Sequence, residues 1–150
     1  MKSIFDAGRV EEIQKRLAAL QPDAGPLWGR MTAAQMLAHC GLGIDMARGE
    51  LRPPRVFVGR LIGPLIRRMA LRDDEPMRKN SPTARELVVP GDPGFAVEKA
   101  RLRGLIERFA AAGSAGCTDF PHAFFGRLKP EEWGILMYKH LDHHLRQFGV

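Results

Sequence analysis

Only two cysteines, Cys40 and Cys117, occur in the 150 residues, and they form neither a CxxC pair nor a dense cysteine pattern. A disulfide framework is thereby excluded, and a reducing cytoplasm is the simplest compartment. No stretch approaches the ~18 consecutive apolar residues of a spanning helix, so no membrane insertion is expected. The chain begins Met-Lys-Ser-Ile-Phe-Asp without the apolar core of a signal peptide, and none is expected. Convincing runs of alternating polar and apolar residues are also missing, which argues against a strand ladder. Hydrophobic residues make up 45% and charged residues 27%, as in an ordinary globular protein. At this length a single domain over residues 1–150 can bury roughly 68–70% of its unfolded surface without staples.

The formal net charge is +6, but it is localised. Residues 49–72 hold six arginines (52, 55, 60, 67, 68 and 72) and one glutamate, and the remainder is nearly balanced. The arginines, with Val56, Phe57, Leu61, Ile62, Leu65 and Ile66 as an apolar face, invite a nucleic-acid or membrane-surface partner, but both are disfavoured, because Phe57 is the only aromatic residue interleaved with these arginines and no helix-turn-helix or finger pattern is present. A solvated basic face over a packed crossover helix is the preferred reading, and it is compatible with attraction of an anionic substrate.

Four substantial helices are legible. Val10, Ile13, Leu17 and Leu20 mark the first, which should stop before Gln21-Pro22 because the residue preceding proline avoids helical backbone angles. Thr32-Ala-Ala-Gln35 reads as a capping box that opens a second helix running to about Arg48, with Gly49 as its stop. The segment from 50 to 92 is irregular and proline-rich, with a short helix or two between Val56 and Leu71 interrupted around Gly63-Pro64. Asp92 and Pro93 suit the N-cap and first position of the next long helix, whose stripe is Leu102, Leu105, Ile106 and Phe109 and which ends near Gly113. Pro130-Glu131-Glu132 opens the last, with acids at the positive end of the helix dipole. The short joints suit antiparallel neighbours, whereas the ~45-residue crossover between the second and third long helices can set those two parallel. The expected architecture is an all-α, up-down-down-up four-helix bundle.

The last of these helices carries Trp133, Leu136, Met137, Leu141, Leu145 and Phe148 on one face. His140 and His144 lie about 40° apart inside that stripe and one turn from each other, a spacing that lets two imidazoles share an ion. His39 falls mid-way along the second helix on the face of Met36, Gly43 and Met46. His39, His140 and His144 are therefore candidate metal ligands, each roughly 15 Å from the same end of the bundle. His143 sits at the edge of the stripe and Gln147 one turn beyond, as candidates to support the ligands or to face a bound water. Cys40 is turned ~100° from His39 and should pack in the core. Asp142 is about 200° round from His140 and is expected to point to solvent. Leu141 stands where a HExxH protease would carry its glutamate, which removes that class.

These features together, His39 in the second helix, His140-x-x-x-His144 within the Lys139–Phe148 run of the last, and the long crossover, resemble the DinB/YfiT-like superfamily of metalloenzymes over nearly the whole chain. The resemblance implies a three-histidine site for one divalent ion such as nickel or zinc, a homodimer, and in some relatives transferase or isomerase chemistry on a low-molecular-weight thiol. The expected function is a divalent-metal-dependent enzyme acting on a small-molecule substrate, as a thiol-dependent S-transferase or isomerase or as a metal-assisted hydrolase. The alternative is a non-enzymatic helical binding protein acting through a dimer or its basic face. Metal, substrate and reaction stay open at this level, as does whether loops 76–92 and 118–128 cover the site.

Overall fold

The computed structural model describes residues 1–150. It is all-helical, with five α-helices: α1 Ala7–Ala19, α2 Ala33–Arg48, α3 Phe57–Ala70, α4 Phe95–Ala112 and α5 Pro130–Gln147. Short 3-10 turns at Arg85–Leu87 and Gly113–Gly116 complete it. There is no strand, only an isolated bridge between His122 and Gly126.

Local chemistry sets the ends of these helices. The Asp6 side chain accepts from the Gly8 amide at the start of α1, satisfying a donor that the helix itself leaves orphaned. Thr32 and Gln35 form the reciprocal capping box of α2, and Gly49 ends the helix at φ 76°, in the left-handed region that glycine enters without a Cβ penalty. At α5, Glu132 accepts from the Lys129 amide and Pro130 fills the first turn, so a lysine at the N-cap is tolerated.

Two expected helix boundaries are corrected. The helix expected to start at Asp92-Pro93 starts at Phe95, because the Asp92 carboxylate accepts from the Gly94 amide and closes a turn around Pro93. Gly94, at φ 84°, then becomes the N-cap. The expected break at Gly63-Pro64 does not occur, and α3 runs through Pro64. Pro64 is exposed, so the Arg60 carbonyl that loses its helical donor can turn to water.

The core is one cluster to which α1, α2, α4 and α5 all contribute, with Trp133, Phe109, Ile13, Leu37, Ile44 and Ile106 fully buried. Each such side chain contributes about 1.5–3 kcal/mol by leaving water. Almost every residue of α2 is buried, and it packs on both α4 and α5. This enclosure puts His39 in the interior. The N-terminal strand of chain is pinned by the Ile4 amide on the Gly134 carbonyl at 3.0 Å, where the missing Cβ of Gly134 admits Phe5.

Asp142 does not point to solvent. It is buried and accepts from Arg16 at 2.7 Å and from Arg146 at 2.8 Å, since α1 lies over the side of α5 turned away from the histidines. Asp45 is likewise ion-paired with Arg101 of α4. Lys139 is buried too, its ammonium donating to the carbonyls of Ala70 and Asp73 and so tying down the C-terminal end of α3.

Candidate metal centre

The capped, buried α2 and the C-terminal half of α5 bring His39, His140 and His144 together. One ring nitrogen from each lies within 4.8 Å of the other two, and the ring centroids are 4.7–4.9 Å apart. His39 and His144 are buried, with His140 partly so. Nitrogens on a tetrahedral zinc are ~3.4 Å apart, so small side-chain adjustments would suffice.

The hydrogen bonds around the rings fix their tautomers and orientation. Nδ1 of His39 lies 2.9 Å from the Leu87 carbonyl, which can only accept, so Nδ1 carries the hydrogen and Nε2 a free lone pair. Nδ1 of His144 lies 2.8 Å from Oε1 of Gln147. The Gln147 amide is itself oriented by donation from Nε2 to the Trp28 carbonyl at 2.6 Å. His144 therefore also directs a free Nε2 lone pair inward. Outer partners of this kind fix the tautomer and raise the basicity of a ligating imidazole. Nε2 of His140 lies 3.0 Å from Nε2 of His39, and its enclosed Nδ1 has no partner.

Gly43 makes room for this ring. A Cβ at position 43 would sit 3.0 Å from Cε1 and Nδ1 of His140, closer than carbon packing normally allows. Gly29, at φ 79°, plays the matching part for Gln147, whose Nε2 would meet a Cβ at 2.7 Å.

All the histidines are held toward the neutral form. Burial pushes His144 down to about 3, helped by His39, and pushes His140 well below its usual range, with the neighbouring rings adding to the effect. His39 is lowered by burial against a smaller raising influence from the Leu87 carbonyl. Neutral imidazoles are the form that binds a metal.

Of the two loops, the one over residues 76–92 touches the histidines. Segment 76–92 supplies the Leu87 carbonyl and is anchored by Gln35 donating to the Gly91 carbonyl. His143, half-buried, packs at a tilt against Trp28 with ring centroids 5.4 Å apart, and Lys79 lies over the same indole at 4.3 Å. From the 118–128 loop, His122 packs on Phe125 and Trp133 and accepts from the Phe124 and Phe125 amides through Nδ1. Burial lowers it to about 4. Cys40 is buried, its thiol pushed up by desolvation, and takes no part. No carboxylate joins the three histidines.

Sequence reasoning reached Gln147 but not Leu87 or Trp28. A backbone carbonyl leaves no mark in a sequence, and the only cue was a crossover too long to be idle. Trp28, in a Gly-Pro loop, could have been suspected from its size alone.

Residues 5–149 match the family described as a protein of unknown function, DUF1569. The chain belongs to the DUF1569 family. No curated protein and no solved structure matches it. The matched span of this DUF1569 chain contains α1 to α5 and every histidine described above.

Proposed function

We propose that the protein is a divalent-metal-dependent enzyme in which His39, His140 and His144 hold one ion of the zinc or nickel class. The observation that carries this reading is the convergence of three imidazoles, two of them with Nδ1 committed to a fixed acceptor and Nε2 left unprotonated. An ion held by three neutral ligands keeps its full positive charge and open positions, and supplies Lewis-acid polarisation and acidification of a water or a thiol. The chain's own residues would do the rest. Gln147 and the Leu87 carbonyl hold the rings in register, while Trp28, His143 and Lys79 form a rim where a small-molecule substrate can lie against an aromatic face and a cation.

Asp45 and Asp142 are committed to arginines, which leaves no carboxylate at the site as general base. This favours thiolate or Lewis-acid chemistry, as in an S-transferase or isomerase using a low-molecular-weight thiol, over hydrolysis. The same reading takes the chain as DinB/YfiT-like and cytoplasmic, with α1, α2, α4 and α5 as an up-down-down-up bundle and α3 within the crossover. That all four helices share one core supports it.

Metal analysis of protein purified without a histidine tag tests the centre. About one ion per chain is expected, lost in His140→Ala; substoichiometric metal that this substitution does not change would remove the proposal's foundation. With metal present, thiol-conjugation assays run beside esterase and amidase assays separate transferase from hydrolase, and activity on the thiol side is expected.

A further inference from the structure

Helix α3 is amphipathic in an inverted sense. The residues it buries against the body are glycines, Gly59 and Gly63, where a Cβ would collide with the backbone of Phe124. Its large apolar side chains, apart from the half-buried Ile66, face outward. Phe57 is 73% exposed, Leu61 69%, Leu65 62%, Val58 and Met69 55% each and Ile62 43%. At ~100° per residue they occupy one arc of about 140°, opposite the glycines. Together they expose an area on the order of 600 Å², at the upper end of what a soluble domain carries without a partner.

The charge around this stripe identifies what covers it. From Leu51 to Leu71 there are five arginines and no aspartate or glutamate. Arg68 lies at the edge of the stripe and Arg60 about 60° beyond it. Arg67, Arg68 and Arg72, with Pro64, Leu71 and Glu132, line an open cavity of about 390 Å³ at the C-terminal end of the helix. Of the acids that follow, Asp73 is turned to Arg72 and Lys139 and Asp74 to the Lys2 amide, while Glu75 is exposed beyond the end of the helix. A second copy seated on this face would bring one arginine-rich rim against another, with no carboxylate of the Leu51–Leu71 segment to separate them. Nucleic acid would answer the arginines but leave the apolar arc wet.

We propose that α3 is a docking surface for an anionic lipid bilayer. The helix would lie in the interface plane, with Phe57, Leu61 and Leu65 entering the acyl boundary and Arg60 and Arg68 among the headgroup phosphates. It is ~21 Å long, it does not span, and no helix of the chain is long and apolar enough to cross a membrane. The inference is independent of the metal centre.

Sedimentation of the full chain with vesicles tests it. At low salt the protein should pellet with phosphatidylcholine–phosphatidylglycerol vesicles and far less with phosphatidylcholine alone. The double substitution Leu61→Asp/Leu65→Asp should reduce partitioning at least about tenfold. Arg60→Ser/Arg68→Ser should weaken it roughly thirtyfold at low salt and little at 0.5 M salt. All four positions are exposed, so far-UV circular dichroism should be unchanged. The proposal is overturned if neither vesicle binds, if neutral and anionic vesicles bind alike, or if Leu61→Asp/Leu65→Asp dissolves a concentration-dependent dimer in sedimentation velocity without altering a vesicle signal.

Discussion

At the residue scale, the centre depends on side chains that were legible and on backbone that was not. His140 and His144 could be paired because one helical turn fixes their relation, and His39 could be added because its helix face is apolar. The Leu87 carbonyl fixes the His39 tautomer from 48 positions away, and no pattern of residue types encodes that. Gly43 is the intermediate case, since a glycine inside a helix costs about 1 kcal/mol relative to alanine and so asks for a reason. The reason is the His140 ring. Gly43→Ala should therefore leave thermal stability within about 1 kcal/mol, the propensity gain offsetting the displaced ring, while lowering zinc affinity roughly tenfold through misplacement of a ligand. Competition titration against a zinc chelator measures the second effect, and an unchanged affinity would separate Gly43 from the site. Gln147→Leu should act the same way without touching a ligand, because it frees the His144 ring to rotate.

The elements divide by what holds their ends. Where a cap is made by side chains close in sequence, as at Thr32 and Gln35, the boundary was readable. Where the deciding contact was a turn competing with the helix, as between Asp92 and Gly94, the start was misplaced by two residues. Helix α3 was legible between Val56 and Leu71 but was expected to break at Gly63-Pro64: glycine and proline signal interruption on propensity alone, yet here Gly59 and Gly63 are the packing surface. Its hold on the body rests on those glycines against Phe124, on Ile66 and Ala70 packed at the edge of the core, on the Lys139 ammonium at the Ala70 carbonyl, and on Arg67 at the Arg127 carbonyl and Glu132. Gly63→Ala places a methyl group against the Phe124 carbonyl, a rigid neighbour, and should cost about 1–3 kcal/mol. The loss should be local. Hydrogen exchange is expected to quicken across Phe57–Ala70 and the 118–128 loop while the amides of α2 and α5 keep their protection; uniform loss of protection would show that α3 is integral to the cooperative core.

For the whole molecule, five histidines held toward the neutral form make stability depend on pH. Each of the shifts is downward, so between the ordinary histidine value near 6.5 and the folded values, about 3 for His144 and about 4 for His122, the unfolded chain binds more protons than the folded one. The contribution is then complete above pH 6.5 and is lost as pH falls toward 4, by at most about 1.4 kcal/mol per pH unit for each ring. Carboxylates such as Glu12 and Asp73, whose values are lowered, act in the same direction but in a more acidic window. Metal-free protein should therefore show a urea midpoint that is flat from pH 8 to 6.5 and falls steeply below it. A divalent ion binds the same neutral rings only in the folded state, so it adds RT ln(1 + [M]/Kd), about 2.7 kcal/mol at a hundredfold excess over Kd, which is ~5–10 °C in Tm for a chain of this size. Chelation should remove that increment at pH 7.5 and remove progressively less of it as acid displaces the ion. If chelator changed the melting temperature equally at pH 7.5 and pH 5, the ion would be bound by groups other than these imidazoles.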